Sequence, residues 1–133
     1  MKELIDYLDN SQIQYLATIG MDQKPKVRPF QFMFEYDGKL WFCTSNQKEV
    51  YRELQVNPFV ELCATNEDMS WIRIKGTVMF SKDLHVKEKV MDTSPLVKSI
   101  YQEATNPFFE VFYLDKIHAT ISKIGEKPKS IKQ

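Results

Sequence analysis

The residues best placed to do chemistry lie between a strand and a helix. Thr44-Ser45-Asn46-Gln47-Lys48-Glu49 follows the apolar run Leu40-Trp41-Phe42-Cys43 and runs into a helical pattern. Ser45 or Asn46 is expected to cap that helix, and Glu49, three residues after Asn46, to complete a capping box. The free amides and positive dipole end of such a helix favour an anion, and Lys48 adds a full charge there. The ligand chemistry this predicts is a phosphate. Side-chain catalysis has little support, because the two histidines, His85 and His118, lie far from this junction in the chain. His85, in the charged run DLHVKEKV, reads as solvent-facing, and His118, in KIHATISKI, as a structural strand position. Hydrolytic and metal-based reactions are therefore poorly supported. Cys43 and Cys63 sit in apolar strand-like segments with no CxxC or Cys/His metal spacing, and read as inert buried thiols. A chain without its own acid, base or nucleophile can still catalyse if a cofactor brings the reactivity.

The elements that must position this junction can be read in order. Lys2 to Asn10 puts Leu4, Ile5 and Leu8 on one helical face, Tyr15 to Gly20 is a strand, and Met21 to Pro25 a turn. Lys26 to Tyr36 reads as one long strand with Arg28, Phe30, Phe32, Phe34 and Tyr36 on one face and Val27, Pro29, Gln31, Met33 and Glu35 on the other. It turns at Asp37-Gly38, which supplies the positive φ angles of a tight hairpin. Pro29 lacks an amide proton and so marks an edge, a bulge or a place where a ligand interrupts pairing. A helix from Gln47 to about Val56 carries Val50 and Leu54 inward, with Tyr51 a further candidate for that face, and stops at Asn57-Pro58. Phe59 to Ala64 is a strand and Thr65 to Ser70 a polar loop. Trp71 to Phe80 is a curved strand with a bend or bulge at Gly76 and with Trp71, Arg73, Lys75 and Thr77 outward. Asp83 caps a helix to about Met91, and Ser94-Pro95 opens a shorter one. Phe108 to Leu114 and His118 to Ile124 read as two strands separated by Asp115-Lys116. Gly125 to Gln133, with Lys127, Lys129 and Lys132, reads as a mobile polar tail.

At 133 residues the chain is read as a single domain, 1–133, able to bury a core without disulfides or metals. Its 18 basic and 18 acidic residues cancel, so no global field attracts nucleic acid or an anionic membrane. No apolar run approaches the roughly 20 residues that span a bilayer, and the amphipathic MKELIDYLDN does not read as a signal sequence. The expectation is a cytoplasmic protein. Six or seven strands with interspersed helices predict a mainly β fold, a closed, antiparallel, partly Greek-key barrel with peripheral helices.

Arg28-Pro29-Phe30, the hairpin ending in Phe42-Cys43-Thr44, Lys48, Asn57-Pro58 and Trp71-Ile72-Arg73-Ile74-Lys75-Gly76, taken together in this order and spacing, resemble the FMN-binding split-barrel proteins. These form the pyridoxamine 5'-phosphate oxidase-like superfamily, and this short form is most similar to the branch related to nitroimidazole-resistance proteins. The likeness covers nearly the whole chain.

The resemblance implies FMN as cofactor and a homodimer whose shared surface holds two flavins. Arg28, Pro29, Phe30, Gln31, Phe32 and Met33 would line the ring edge and ribityl chain, partly through main-chain groups. Cys43 and Thr44 would continue that contact, and Ser45 and Lys48 would meet the phosphate, which Arg28 could also reach. Trp71, and more weakly Arg73, match positions that reach the partner's flavin; otherwise they are ordinary surface-strand residues. From Phe108, Phe109, Phe112 and Tyr113, some side chains are expected at the dimer interface. Two departures argue against vitamin B6 oxidation. The tail lacks the oxidases' Arg-x-His substrate motif, and Met33 stands where they place a lysine. The oxidases' basic pair after the strand is reduced to Lys48-Glu49. The implied activity is reduction of a small flat electron acceptor, of nitroaromatic or quinone type, with a nicotinamide donor. A non-catalytic flavin- or haem-binding protein on the same barrel is the alternative, and nucleic-acid binding is third.

Overall fold

The computed structural model describes residues 1–131. In chain order its elements are α1 (Lys2–Asn10), β1 (Gln14–Ile19), β2 (Pro25–Phe30), β3 (Phe34–Tyr36), β4 (Lys39–Ser45), α2 (Glu49–Val56), β5 (Phe59–Thr65), β6 (Ser70–Ser81), α3 (Leu84–Thr93), α4 (Pro95–Tyr101), β7 (Phe109–Lys123) and β8 (Lys129–Ile131). The strands form one antiparallel sheet in the order β2-β1-β5-β6-β7-β4-β3, with β8 added on β7. Its two end strands, β2 and β3, are separated in sequence by only Gln31-Phe32-Met33. From Phe30 to Phe34 an extended chain reaches roughly 14 Å, so the sheet must curl until its edges nearly meet. The barrel is antiparallel, as the strand pattern predicts, but split rather than closed, because its end strands β2 and β3 do not pair. The split form is the one the resemblance implies.

Alternation along the strands decides what fills it. Leu16, Phe42, Val60, Leu62, Ile72, Ile74, Phe112 and Ala119 point inward, and α1 (Leu4, Leu8) and α2 (Val50, Leu54) join the same core. A second cluster forms where α3 and α4 meet the far side of the sheet, with Trp41, Val86, Val90, Val97, Phe109 and Val111. The aromatic concentration in β7 is thus divided between cores. Phe109 and Phe112 are fully buried, Tyr113 packs on Trp41 at 5.0 Å between centroids, and Phe108 alone of the four is exposed.

Three expectations are corrected. The single strand Lys26 to Tyr36 is two strands, β2 pairing with β1 and β3 with β4, so Phe30 and Phe32 serve the barrel core while Phe34 and Tyr36 serve the second cluster. Pro29 sits on β2, an end of the sheet path, where a missing N–H costs no ladder bond on the open side. The two strands read around Asp115-Lys116 are one strand, β7. Between the pairs Lys75–His118 and Thr77–Asp115, Gly76 faces two residues, and Lys116 takes φ 51° to absorb the extra one. A Cβ on Gly76 would meet the Asp115 carbonyl at 3.0 Å. Finally, the tail is ordered as far as Ile131: β8 pairs through Ser130 with Thr120, Ile131 packs against the barrel core, and Lys129 lies 3.6 Å from Glu3. Lys132 and Gln133 lie outside the described residues. Asp37 (φ 57°) and Gly38 (φ 70°) form the expected hairpin turn. No helix among the described residues is long and apolar enough to cross a membrane.

Candidate functional site

The strand-to-helix junction is built differently from the expected capping box. Lys48 is itself the N-cap residue of α2, in extended geometry, and no side chain caps the helix. The Ser45 hydroxyl instead accepts from the Gln47 amide at 3.1 Å, closing the turn before the helix starts. The Asn46 side chain donates to the Pro107 carbonyl and to Glu110 Oε2, both at 2.8 Å, which fastens the turn to the start of β7. The first amides of α2 therefore keep no side-chain acceptor, and the exposed Lys48 ammonium has no ion-pair partner among the described residues.

Across from this junction, the gap between β2 and β3 is held open by Gln14, a buried residue. Its Oε1 accepts from the Phe32 amide at 2.6 Å, while its Nε2 donates to the carbonyls of Leu8 and Ser11 at 3.2 and 2.9 Å. Phe32 is thereby drawn inward, 8% exposed and 5.7 Å from the Phe42 ring, and Met33 N returns to the ladder on Trp41 O.

Between gap and junction lies a cavity of about 320 Å³, within the span of roughly 300–1,000 Å³ that holds small ligands. Arg28, Pro29, Phe30, Gln31, Met33, Cys43, Thr44 and Lys48 line it, so eight of the twelve residues singled out from the sequence meet there. Phe32 does not line it, because its ring belongs to the core. Ser45 stands beside it, occupied with its turn. Trp71 and Arg73 lie on the outward face of β6, where Arg73 is 3.8 Å from Glu61, and neither reaches the cavity of its own chain. The remaining wall, Ile13, Val50, Leu96, Val97, Ile100 and Tyr101, comes mostly from α4. A larger groove, about 490 Å³, crosses the outer face of β1, β5, β6 and β7 at Ala17, Phe59, Lys75 and His118. We place the site in the smaller cavity on polar grounds. At its wall Thr44 Oγ1 is buried with no hydrogen-bond partner, a condition that costs about 1–3 kcal/mol unless a ligand or water relieves it.

Arg28 is tied into the wall. Its Nη2 donates to Glu53 Oε1 at 2.7 Å, and its Nη1 to Thr18 Oγ1 at 2.8 Å and Leu16 O at 3.2 Å. The Thr18 hydroxyl also donates to Glu53 Oε1 at 2.7 Å. Glu53 has only 2% of its side chain exposed, against 24% for Arg28. Sequence reading missed Glu53, although the signal was present: it shares the inward face of α2 with Val50 and Leu54, and a charge on a buried face requires a partner. Gln14 and the apolar α4 wall were also missed. The spacing of Leu96, Val97 and Ile100 marks a helix face, but nothing local shows which cavity that face covers.

Burial pushes the Cys43 thiol up to about 12, against an opposing pull from Lys48. Cys43 therefore remains a protonated, inert thiol at neutral pH, as expected. Burial also raises the Cys63 thiol and the Tyr101 phenol, the latter with Cys43 adding to the rise and Ser45 opposing it. His85 and His118 are both exposed, and no group of three potential metal ligands occurs among the described residues.

Comparison with known proteins agrees with this architecture. No curated sequence matches the chain. A NimC/NimA family protein from Clostridium acetobutylicum superposes with a TM-score of 0.89 at 32% identity, over 98% of this chain and 90% of that one. A putative 5-nitroimidazole antibiotic resistance protein from Bacteroides thetaiotaomicron (TM-score 0.65, 15% identity, 90% and 82% covered) shares the fold. So does a heme binding protein from Mycobacterium smegmatis (TM-score 0.74, 14% identity, 95% of this chain and 55% of that one). The family model for pyridoxamine 5'-phosphate oxidase matches residues 1–121. With barrel, gap and junction all in place, the chain belongs to the pyridoxamine 5'-phosphate oxidase-like family, in its nitroimidazole-resistance-related branch.

Proposed function

We propose that this protein is an FMN-dependent oxidoreductase, a cytoplasmic homodimer of single FMN-binding domains, that reduces a small flat electron acceptor of nitroaromatic or quinone type with a nicotinamide donor. One observation carries the reading. Thr44, whose buried Oγ1 has no hydrogen-bond partner, lines the same cavity as Lys48, the N-cap residue of α2, a helix start without a side-chain cap. A ligand with an anionic end and hydrogen-bonding groups along its length would satisfy both. The residues present fit FMN in this respect: Lys48 and the free amides of α2 would take the phosphate, Thr44 would hydrogen-bond the ribityl chain or ring, and Pro29 to Met33 would present main-chain groups from the gap. Each charge-assisted contact contributes about 1.5–3 kcal/mol. When bound, FMN supplies the hydride chemistry that the side chains lack. The chain's own part is to bind and to exclude water, the latter through Ile13, Leu96, Val97 and Ile100. From a second copy, Trp71 and Arg73 would close the open side of the cavity.

Haem fits less well, because it needs an axial ligand. Both histidines lie outside the cavity, which offers Met33, a thiol held protonated by burial, and the Tyr101 phenol, whose pKa burial also raises. Titration of purified protein with FMN, followed by flavin fluorescence, tests the proposal. Saturable quenching is expected, with Lys48→Ala weakening it roughly tenfold or more. Absence of quenching refutes FMN binding. Binding without turnover of quinones or nitroaromatics by any nicotinamide donor would make the protein a non-catalytic flavin binder.

A further inference from the structure

We infer that Glu53 is a positioning residue that cancels the charge of Arg28, leaving Lys48 to provide the cavity's phosphate recognition. This rests on the flavin reading above and specifies which part of that site senses charge. The Glu53 carboxylate lies at 2.7 Å from Arg28 Nη2 and is almost wholly buried, so it is poorly screened and stays close to its partner. Thr18 holds the same Oε1 from the other side while also accepting from Arg28 Nη1. The guanidinium is thus locked in the cavity wall, with its donors partly spent and its charge balanced. Lys48, four residues after Thr44, has no such counter-charge among the described residues. A site with one uncompensated cation discriminates an anionic ligand from its neutral analogue through that cation.

The probes are FMN and riboflavin, which share the ring and differ in the phosphate, with inorganic phosphate as a third that needs no flavin site. In Glu53→Gln, Arg28 is uncompensated. The preference for FMN over riboflavin should then rise about tenfold, equivalent to about 1.4 kcal/mol, and inorganic phosphate should raise the melting temperature more than in wild type. Glu53→Asp, which keeps the charge, should return the preference toward the wild-type value. In Lys48→Ala the preference should fall below tenfold, to the small remainder that the α2 amides supply. A merely structural Glu53 would move FMN and riboflavin affinities in parallel, and that result overturns the inference. So does a preference of tenfold or more surviving in Lys48→Ala, which would show Arg28 acting as a free cation. If wild-type protein binds neither flavin but Glu53→Gln gains stabilisation by phosphate, the FMN reading falls and the charge cancellation stands. If both flavins bind and the preference is unmoved by Glu53→Gln, the reverse holds. Should Glu53→Gln fail to fold, the Lys48→Ala ratio alone decides.

Discussion

Replacing Arg28 with alanine removes three donor contacts at once, and the structure fixes what is left behind. Glu53 loses its 2.7 Å partner and retains the Thr18 hydroxyl, while 2% of its side chain meets solvent. Truncating one member of a buried pair costs about 3–5 kcal/mol, chiefly as the penalty of an unpaired buried charge. Because Arg28 is itself about a quarter exposed and the cavity admits water, the lower end applies, about 3 kcal/mol. For a chain of this size that lowers the melting temperature by roughly 10–15 °C. Urea unfolding of wild type and Arg28→Ala measures it directly, and a companion variant identifies the cause. Arg28→Met combined with Glu53→Leu removes both charges and should recover most of the loss, since apolar replacement of a buried pair is often neutral or better. A cost below about 1 kcal/mol for Arg28→Ala would place the pair among surface ion pairs and refute the reasoning. So would a double variant as unstable as the single one.

Further outcomes follow from the same geometry. Thr44→Val removes a hydroxyl without a partner, so urea unfolding should show unchanged or slightly higher stability, while FMN affinity drops about three- to tenfold with the lost contact. Gln14→Leu deprives the Phe32 amide of its acceptor and should cost about 1–3 kcal/mol, with faster hydrogen exchange at Phe32 as the local signature. At pH 8 a thiol reagent should modify Cys63 before Cys43. Both thiols are raised by burial, but Cys43 reaches about 12, so its thiolate stays scarce until well above neutral pH.

Local chemistry made much of this protein legible without coordinates. Asp37-Gly38, Asn57-Pro58, Asp83, Ser94-Pro95 and Gly76 each constrain the backbone through their own φ preferences or side-chain bonds, so hairpin, helix ends and bulge were readable from neighbours in sequence. The eight cavity-lining residues from Arg28 to Lys48 were found because two short segments, a strand edge and a strand-to-helix turn, supply them. What needed the tertiary structure was every decision taken by a partner distant in the chain. Gln14 divides an apparently continuous strand by claiming the Phe32 amide 18 residues away, and Asn46 forsakes its cap for Pro107 and Glu110 across more than 60 residues. Ser130 and Ile131, polar-tail residues by composition, become a strand because β7 offers an open edge. Arg28 was a free cation in the sequence and is a neutralised one in the fold, since only packing α2 against β1 brings Glu53 to it. Periodicity reports which side of an element is buried, but the identity of what it is buried against depends on loop closure and sheet curvature, which no window of neighbouring residues encodes.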